Sequence, residues 1–200
     1  MDRAFFARPA LVVARALLGC DLVHVTALGT TRGRIVETEA YAADDPGSHA
    51  FRGRTERNAP MFEDPGHAYV YFTYGMHFCF NVVTDEPGVA SAVLVRAVEP
   101  LEGLELMQRR RGSRVRERDL ARGPARLTQA FGIGRADNRA DLLSPPLQIA
   151  AGAPCDDGDI TRTPRIGLGR SQDGRPWRFT LSDSRWVSSG PLSATGSHRS

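Results

Sequence analysis

Two hundred residues, 41% of them hydrophobic and 24% charged, with a net charge of +3, make a chain sized for one globular domain or two small ones. All 26 basic residues are arginine, which excludes a lysine Schiff base and a phosphate-loop lysine and leaves imine chemistry to the N-terminal amine alone. The apolar run Pro9–Leu18 is broken by Arg15, short of the roughly 20 residues that cross a bilayer, and Met1–Ala10 lacks the apolar core of a secretory signal.

In chain order, Arg8–Leu18 reads as a helix, with Pro9 early and Gly19 as its stop. Asp21–Ala27 and Arg32–Tyr41 read as a hairpin across residues 28–30. Residues 42–60 are polar and rich in turn formers, a length that points to a functional loop or to disorder. Ala68–Thr73 and Phe78–Thr84 read as strands around residues 74–77, Asp85–Gly88 as a turn, and Ser91–Val98 as a buried strand. Leu101–Arg110 and Pro124–Phe131 read as helices, the second between Gly123 and Gly132. Leu147–Ala151, Arg165–Leu168 and Trp177–Leu181 read as later strands. The pattern predicts an α+β fold, one domain over residues 1–188 with a curved, mostly antiparallel β-sheet and flanking helices, and a flexible tail over 189–200.

Three features carry chemistry. Glu37 and Glu39 stand two apart in a strand, so a regular strand puts them on one face together with Ile35 and Tyr41. Two acids there suit either an exposed surface or a cleft, and the polar loop that follows Tyr41 adds weight to the cleft. Three of the four tyrosines fall in 69–81, and Tyr74 sits beside Gly75 at a hairpin turn, a place that core packing does not explain. The window 109–126 holds eight arginines against Glu117 and Asp119, a net of +6 that leaves −3 for the rest of the chain. Such a patch is either a solvated basic loop or a footprint for a polyanion. Cys20, Cys79 and Cys155 are odd in number and far apart. No Cys/His cluster has metal-ligand spacing, so neither a disulfide framework nor a metal site is expected, and a reducing cytoplasm is the simplest home.

Six segments together resemble the alkyladenine (3-methyladenine, or methylpurine) DNA glycosylase family. They are Gly33–Tyr41, Arg57–Phe62 with Pro65 and Gly66, residues 69–81, Val93–Gly103, Gly123–Ala130, and Arg165–Gly169 with Trp186–Ser188. The resemblance runs from about Ala14 to Ser188 and implies the family's fold. It also implies a monofunctional DNA glycosylase of base excision repair. Such an enzyme flips a damaged purine (3-methyladenine, 7-methylguanine, hypoxanthine or etheno-adenine) out of double-stranded DNA. It then hydrolyses the N-glycosidic bond and leaves an abasic site without lyase cleavage. The resemblance makes Glu39 the base that activates water and Arg96 the arginine that helps hold that water, with Glu37 in support. Tyr41, His49 and Tyr71 become the walls around the flipped base, and Asn81 the residue that crowds the amino group of guanine. Tyr74 becomes the wedge in the minor groove with Met76 beside it. Arg126, with Arg122 and Arg109, would meet phosphates.

His77 departs from the family pattern, where an aromatic tyrosine is expected in vertebrate relatives; histidine stacks less well. The resemblance implies no cofactor and no metal, a monomer that binds no membrane, and a cytoplasmic, nucleoid-associated location. A non-catalytic module that binds damaged nucleic acid is the alternative on the same fold. The architecture also resembles the C-terminal domain of methionyl-tRNA formyltransferase, so fold alone does not settle function.

Overall fold

The computed structural model describes residues 1–73, 75–153, 155–169 and 174–188. Its frame is an antiparallel sheet of eight strands: β1 (Asp21–Thr26), β2 (Gly29–Tyr41), β3 (Ala68–Thr73), β4 (His77–Val83), β5 (Ala92–Glu102), β6 (Leu147–Ala150), β7 (Ile160–Thr163) and β8 (Arg178–Leu181). The order is β3-β4-β5-β2-β1-β6, with β8 also pairing β2 and β7 pairing β8. The 13-residue β2 is the spine. Its first half runs beside β1 and its far half beside β8, while β5 lines its other edge. The expected α+β class and antiparallel sheet are what the chain forms.

Helices α2 (Ala10–Ala16), α3 (Leu104–Arg111) and α4 (Pro124–Phe131) cover one face. Val13, Ala14 and Leu17 from around α2, Met107 from α3, and Leu127, Ala130 and Phe131 from α4 pack there on Leu22, Ile35, Val70, Phe80, Val82, Val93 and Val95. Each large apolar side chain buried in this way stabilises the fold by about 1.5–3 kcal/mol. The alternate residues of the same strands (Tyr69 and Tyr71, Cys79 and Asn81, Ala92, Leu94 and Arg96) face the opposite side and line a cavity. The sheet is thus covered on both faces, so an apolar/polar alternation is muted in β4 and β5.

Two irregularities change the expected faces. Between Ile35 and Glu37 the pairing with β5 slips by one residue on β2, and between Glu37 and Thr38 it slips back on β5. Val36 and Arg96 are the two extra residues. Ile35 therefore packs into the helix-side core with Ala40, while Val36 packs on Ala97 and Trp186. Thr38 donates to the Ala14 carbonyl on the same side. The expectation that Ile35 shares a face with the two acids is corrected: the bulge inverts the alternation just before them.

Other differences are local. The first helix begins at Ala10 rather than Arg8, because Pro9 is extended, and a short α1 (Arg3–Phe6), closed by Asp2, was not expected. The strand expected at Ser91–Val98 continues to Glu102, and the helix expected from Leu101 starts only at Leu104. Gly103 turns the chain at φ +78°, against the Thr30 carbonyl. Arg165–Leu168 is not a strand, since Gly167 and Gly169 take positive φ and break the extended path; the strand is the short Ile160–Thr163. Residues 42–60 are ordered turns, held by Asn58, which donates to the carbonyls of His49 and Gly53 and accepts from Thr55 N–H. Tyr74 and the tail over 189–200 lie outside the described residues. Among the described residues no helix is long and apolar enough to cross a membrane.

A Cβ on Gly33 would lie 2.9 Å from the Glu99 carbonyl and 3.1 Å from the Phe131 ring. Gly33→Ala is expected to destabilise the protein by about 1–3 kcal/mol through overpacking between β2, β5 and α4, measured by urea denaturation.

Candidate active site

A cavity of about 300 Å³ opens on the sheet face away from the helices. β3, β4 and β5 give it Tyr69, Tyr71, Cys79, Asn81, Leu94 and Arg96. The end of β2 gives Tyr41, the 42–60 loop gives Gly47 and His49, α4 gives Pro124, and residues 166–168 close one side. The sequence-derived pocket residues Tyr41, His49, Tyr71 and Asn81 thus meet here with Arg96.

Glu37 and Glu39 are both fully buried, which corrects the exposed reading that the sequence left open. They lie where β2 is flanked by β5 and β8, so both strand edges beside them are paired. The Arg96 guanidinium joins them: Nε donates to Glu37 at 2.9 Å and Nη1 to Glu39 at 3.1 Å. Glu37 also accepts from Arg178 Nε at 2.7 Å, Ser188 N–H at 2.6 Å and Ser188 Oγ at 2.8 Å. Of the four donors to Glu37, Arg96 Nε, Arg178 Nε and Ser188 Oγ converge on Oε1 and Ser188 N–H reaches Oε2. Glu39 receives three: Arg96 and the Tyr41 hydroxyl (2.9 Å) on Oε2, and Ile166 N–H (2.7 Å) on Oε1. Among the described residues no second donor reaches Glu39 Oε1. Glu39 itself lies behind the cavity wall, screened by Tyr41, Arg96 and Ile166.

The charges fix one another. Burial works to depress the Arg96 pKa, but Glu39 and Glu37 outweigh it and raise it above the ordinary arginine value. Burial, reinforced by Glu39, holds the Tyr41 hydroxyl protonated well above the usual tyrosine range, so it serves as a donor to Glu39. Burial also raises Tyr71, and pushes Tyr69 up to about 12. His49 is pushed the other way, first by burial and then by the nearby Arg57 cation, which favours the neutral ring. That ring meets Tyr71 edge-on at 4.5 Å, and its Nδ1 lies 3.1 Å from the Tyr69 hydroxyl. Asn81 donates to the Tyr69 carbonyl at 3.0 Å, which fixes its amide at the cavity wall.

On the β3–β4 hairpin Met76 is 71% exposed and Phe72 41% exposed. Of the basic cluster, Arg122 and Arg126 flank Pro124 of the cavity wall and share Asp119 with Arg116. Arg122 also donates to the Val187 carbonyl. Arg110 and Arg111 are tied into the α3–α4 contact, and Arg109 is exposed on α3. The sequence reading missed a second group. Arg52, Arg54 and Arg57 are exposed on the 42–60 loop, and Arg57 packs over Tyr71 and donates to the Phe72 carbonyl. Alternating with polar residues in a loop, they lack the density that drew attention to 109–126.

A larger cavity of about 600 Å³ is lined by Leu11, Val12 and Arg15 of α2, by Ala151 and Cys155, and by Phe179 of β8 among others, and neither acid lines it. Among the described residues no group of three His, Cys, Asp or Glu side chains is placed to hold a metal ion.

A family model described as methylpurine-DNA glycosylase matches residues 4–185. A protein of Carboxydothermus hydrogenoformans is 49% identical over 189 residues, covering 94% of this chain and 98% of its own length. One of Burkholderia cenocepacia is 51% identical over 194 residues (94% and 90%), and one of Methanoculleus marisnigri 49% over 191 (94% and 98%). Each bears the name "Putative 3-methyladenine DNA glycosylase".

The lowered His49 pKa has a consequence for stability. The unfolded chain binds the His49 proton near pH 6.5 while the folded chain resists it, so stability falls as pH drops below about 6.5 toward the lowered value. Urea midpoints at pH 7.5 and 5.5 are expected to differ less in His49→Gln than in the wild type; equal differences would contradict the assignment.

Proposed function

Because the chain belongs to the methylpurine-DNA glycosylase family, we propose that it is a monofunctional glycosylase. In this reading it extrudes a damaged purine from double-stranded DNA into the 300 Å³ cavity and hydrolyses its N-glycosidic bond with a water activated by Glu39. The observation that carries the reading is the different surroundings of the two acids. Arg178 and Ser188, which bond Glu37, lie outside the cavity lining, whereas Arg96, Tyr41 and Ile166, the donors to Glu39, all line it, and Glu39 Oε1 offers a position to water.

Breaking the bond develops positive charge on the sugar, and a fixed carboxylate lowers the energy of that charge while orienting the nucleophile. Arg96 holds Glu39 in place and lines the cavity, so it faces the same water. Tyr41, His49 and Tyr71 take the base between aromatic faces, with hydroxyls kept protonated and an imidazole kept neutral. Asn81, pinned to the Tyr69 carbonyl, crowds the amino group of normal guanine.

Purines alkylated at N3 or N7, such as 3-methyladenine and 7-methylguanine, carry positive charge and leave without further protonation. Hypoxanthine and etheno-adenine leave more slowly and rely on hydrogen bonds from the wall. Met76, with Tyr74, fills the gap in the duplex, and Arg109, Arg122 and Arg126 meet phosphates. With water as nucleophile the reaction needs no cofactor, and with no lysine side chain the product is an unbroken strand with an abasic site. The enzyme acts as a cytoplasmic monomer at the nucleoid. A non-catalytic binding module has no use for a buried acid held by three residues of the cavity wall, which favours the enzyme.

In single-turnover assays on a lesion duplex, Glu39→Gln is expected to lower base release by about 10²–10⁴-fold while lesion binding persists. Glu37→Gln is expected to cost about 3–5 kcal/mol of stability by leaving buried arginine charge under-paired. Release by Glu39→Gln at the wild-type rate would remove Glu39 from its role. Arg126→Gln should reduce the slope of log affinity against log salt by about 1, and an unchanged slope would take Arg126 off the phosphate backbone.

A further inference from the structure

We propose that the buried Arg165–Asp45 ion pair is a positioning device for the reaction, holding the Tyr41 wall and the 166–168 strap in register with Glu39. The proposal rests on the glycosylase reading of the cavity. Both side chains are fully buried, and the pair joins two segments that lie 120 residues apart and are both loops. Arg165 Nη2 donates to Asp45 Oδ1 at 2.9 Å, and Nη1 donates to Asp45 Oδ2 and, at 2.9 Å, to the Ala40 carbonyl. The guanidinium plane packs over the Tyr41 ring at 4.6 Å from its centroid and over Trp177 at 5.1 Å. One planar group therefore grips the main chain between Glu39 and Tyr41, backs the aromatic wall, and anchors the loop that carries Gly47 and His49.

The linkage continues on both sides. The next residue after Arg165 donates its N–H to Glu39 at 2.7 Å, and Ile166, Gly167 and Leu168 line the cavity. On the other side Asp45 Oδ1 accepts from Gly47 N–H at 2.9 Å, closing the turn that leads to His49. A desolvated ion pair is a poor device for stability alone, since apolar residues of similar volume often serve as well. Its distinctive property is direction: a fork of fixed donors sets where two loops sit, and lysine, with a point charge, does not reproduce that fork. Neither residue touches the reacting atoms in this account. Each acts through Tyr41, His49 and Glu39.

The test uses full-length wild type, Asp45→Asn, Arg165→Lys and Gly47→Ala on duplexes with one etheno-adenine. Three readouts are taken: single-turnover base release, duplex affinity, and the emission of the extruded base. A misplacement of about 1 Å in the wall costs on the order of 10²-fold in rate. Asp45→Asn and Arg165→Lys are therefore expected to slow release by about that factor, with changed etheno-adenine emission and unchanged affinity for undamaged duplex. A merely structural role would lower thermal stability and leave the rate per folded molecule and the emission as in wild type, and that result would overturn the proposal. Should either variant fail to fold, Gly47→Ala decides. Its Cβ would press on Arg165 Nη2 at 3.1 Å, Asp45 Oδ1 at 3.3 Å and Leu168 Cδ1 at 3.3 Å while leaving both charges in place. Slower release supports positioning, and wild-type release contradicts it. A wild-type chain that releases no base from any lesion would overturn the glycosylase reading and the role of the pair with it, an outcome distinct from a failure of the pair alone.

Discussion

The site depends on one guanidinium. Arg96 is buried on the cavity face of β5 and bonds both Glu37 and Glu39, and without it two carboxylates would share a water-poor space with Arg178 engaging only the first. Two acids and two arginines balance there, which is what lets the charges remain inside the protein. The paired bulges at Val36 and Arg96 are the backbone's part in this. They turn Glu37 and Glu39 away from the helix-side core and aim Arg96 between them. The acids then differ in their partners: Glu37 is bonded by Arg178 and Ser188 away from the cavity, while Arg96, Tyr41 and Ile166, the donors to Glu39, all line it.

Much of this was legible in the sequence, for identifiable reasons. Tyr71 and Asn81 lie in strands where alternation fixes the face of a side chain, and Glu39, Arg96 and Tyr41 lie in segments that also resemble a known family. The sheet and the helices α2 and α4 followed from proline and glycine punctuation. What failed did so where backbone geometry overrides pattern. The parity of Ile35 was wrong because a bulge leaves no mark in a run such as Arg34–Glu39. Arg165–Leu168 looked like a strand because apolar residues alternate with glycines whose positive φ only the fold reveals. The Arg165–Asp45 pair could not be read at all, because an ion pair between distant loops has no local signature.

The arginines sort into three kinds of work. Arg96, Arg165 and Arg178 hold buried carboxylates, where a planar fork satisfies more than one acceptor. Arg110 and Arg111 tie α3 to its surroundings through carbonyls and a glutamine. Arg52, Arg54 and Arg57 are exposed on the 42–60 loop, and Arg122 and Arg126 flank Pro124 of the cavity wall, so the basic surface is wider than the 109–126 cluster alone. A chain without lysine thus keeps its internal cations permanently charged, and none of its side chains offers an amine to an opened sugar.

The most direct measurement is product analysis of the wild-type protein on a duplex with a single 7-methylguanine or hypoxanthine. Free base and strand length are followed before and after mild alkali, with borohydride present in a parallel reaction. The account predicts released base, a strand cleaved only by alkali, and no trapped enzyme–DNA adduct. Absence of released base from every lesion, or a nicked strand and a trapped adduct before alkali, would contradict it.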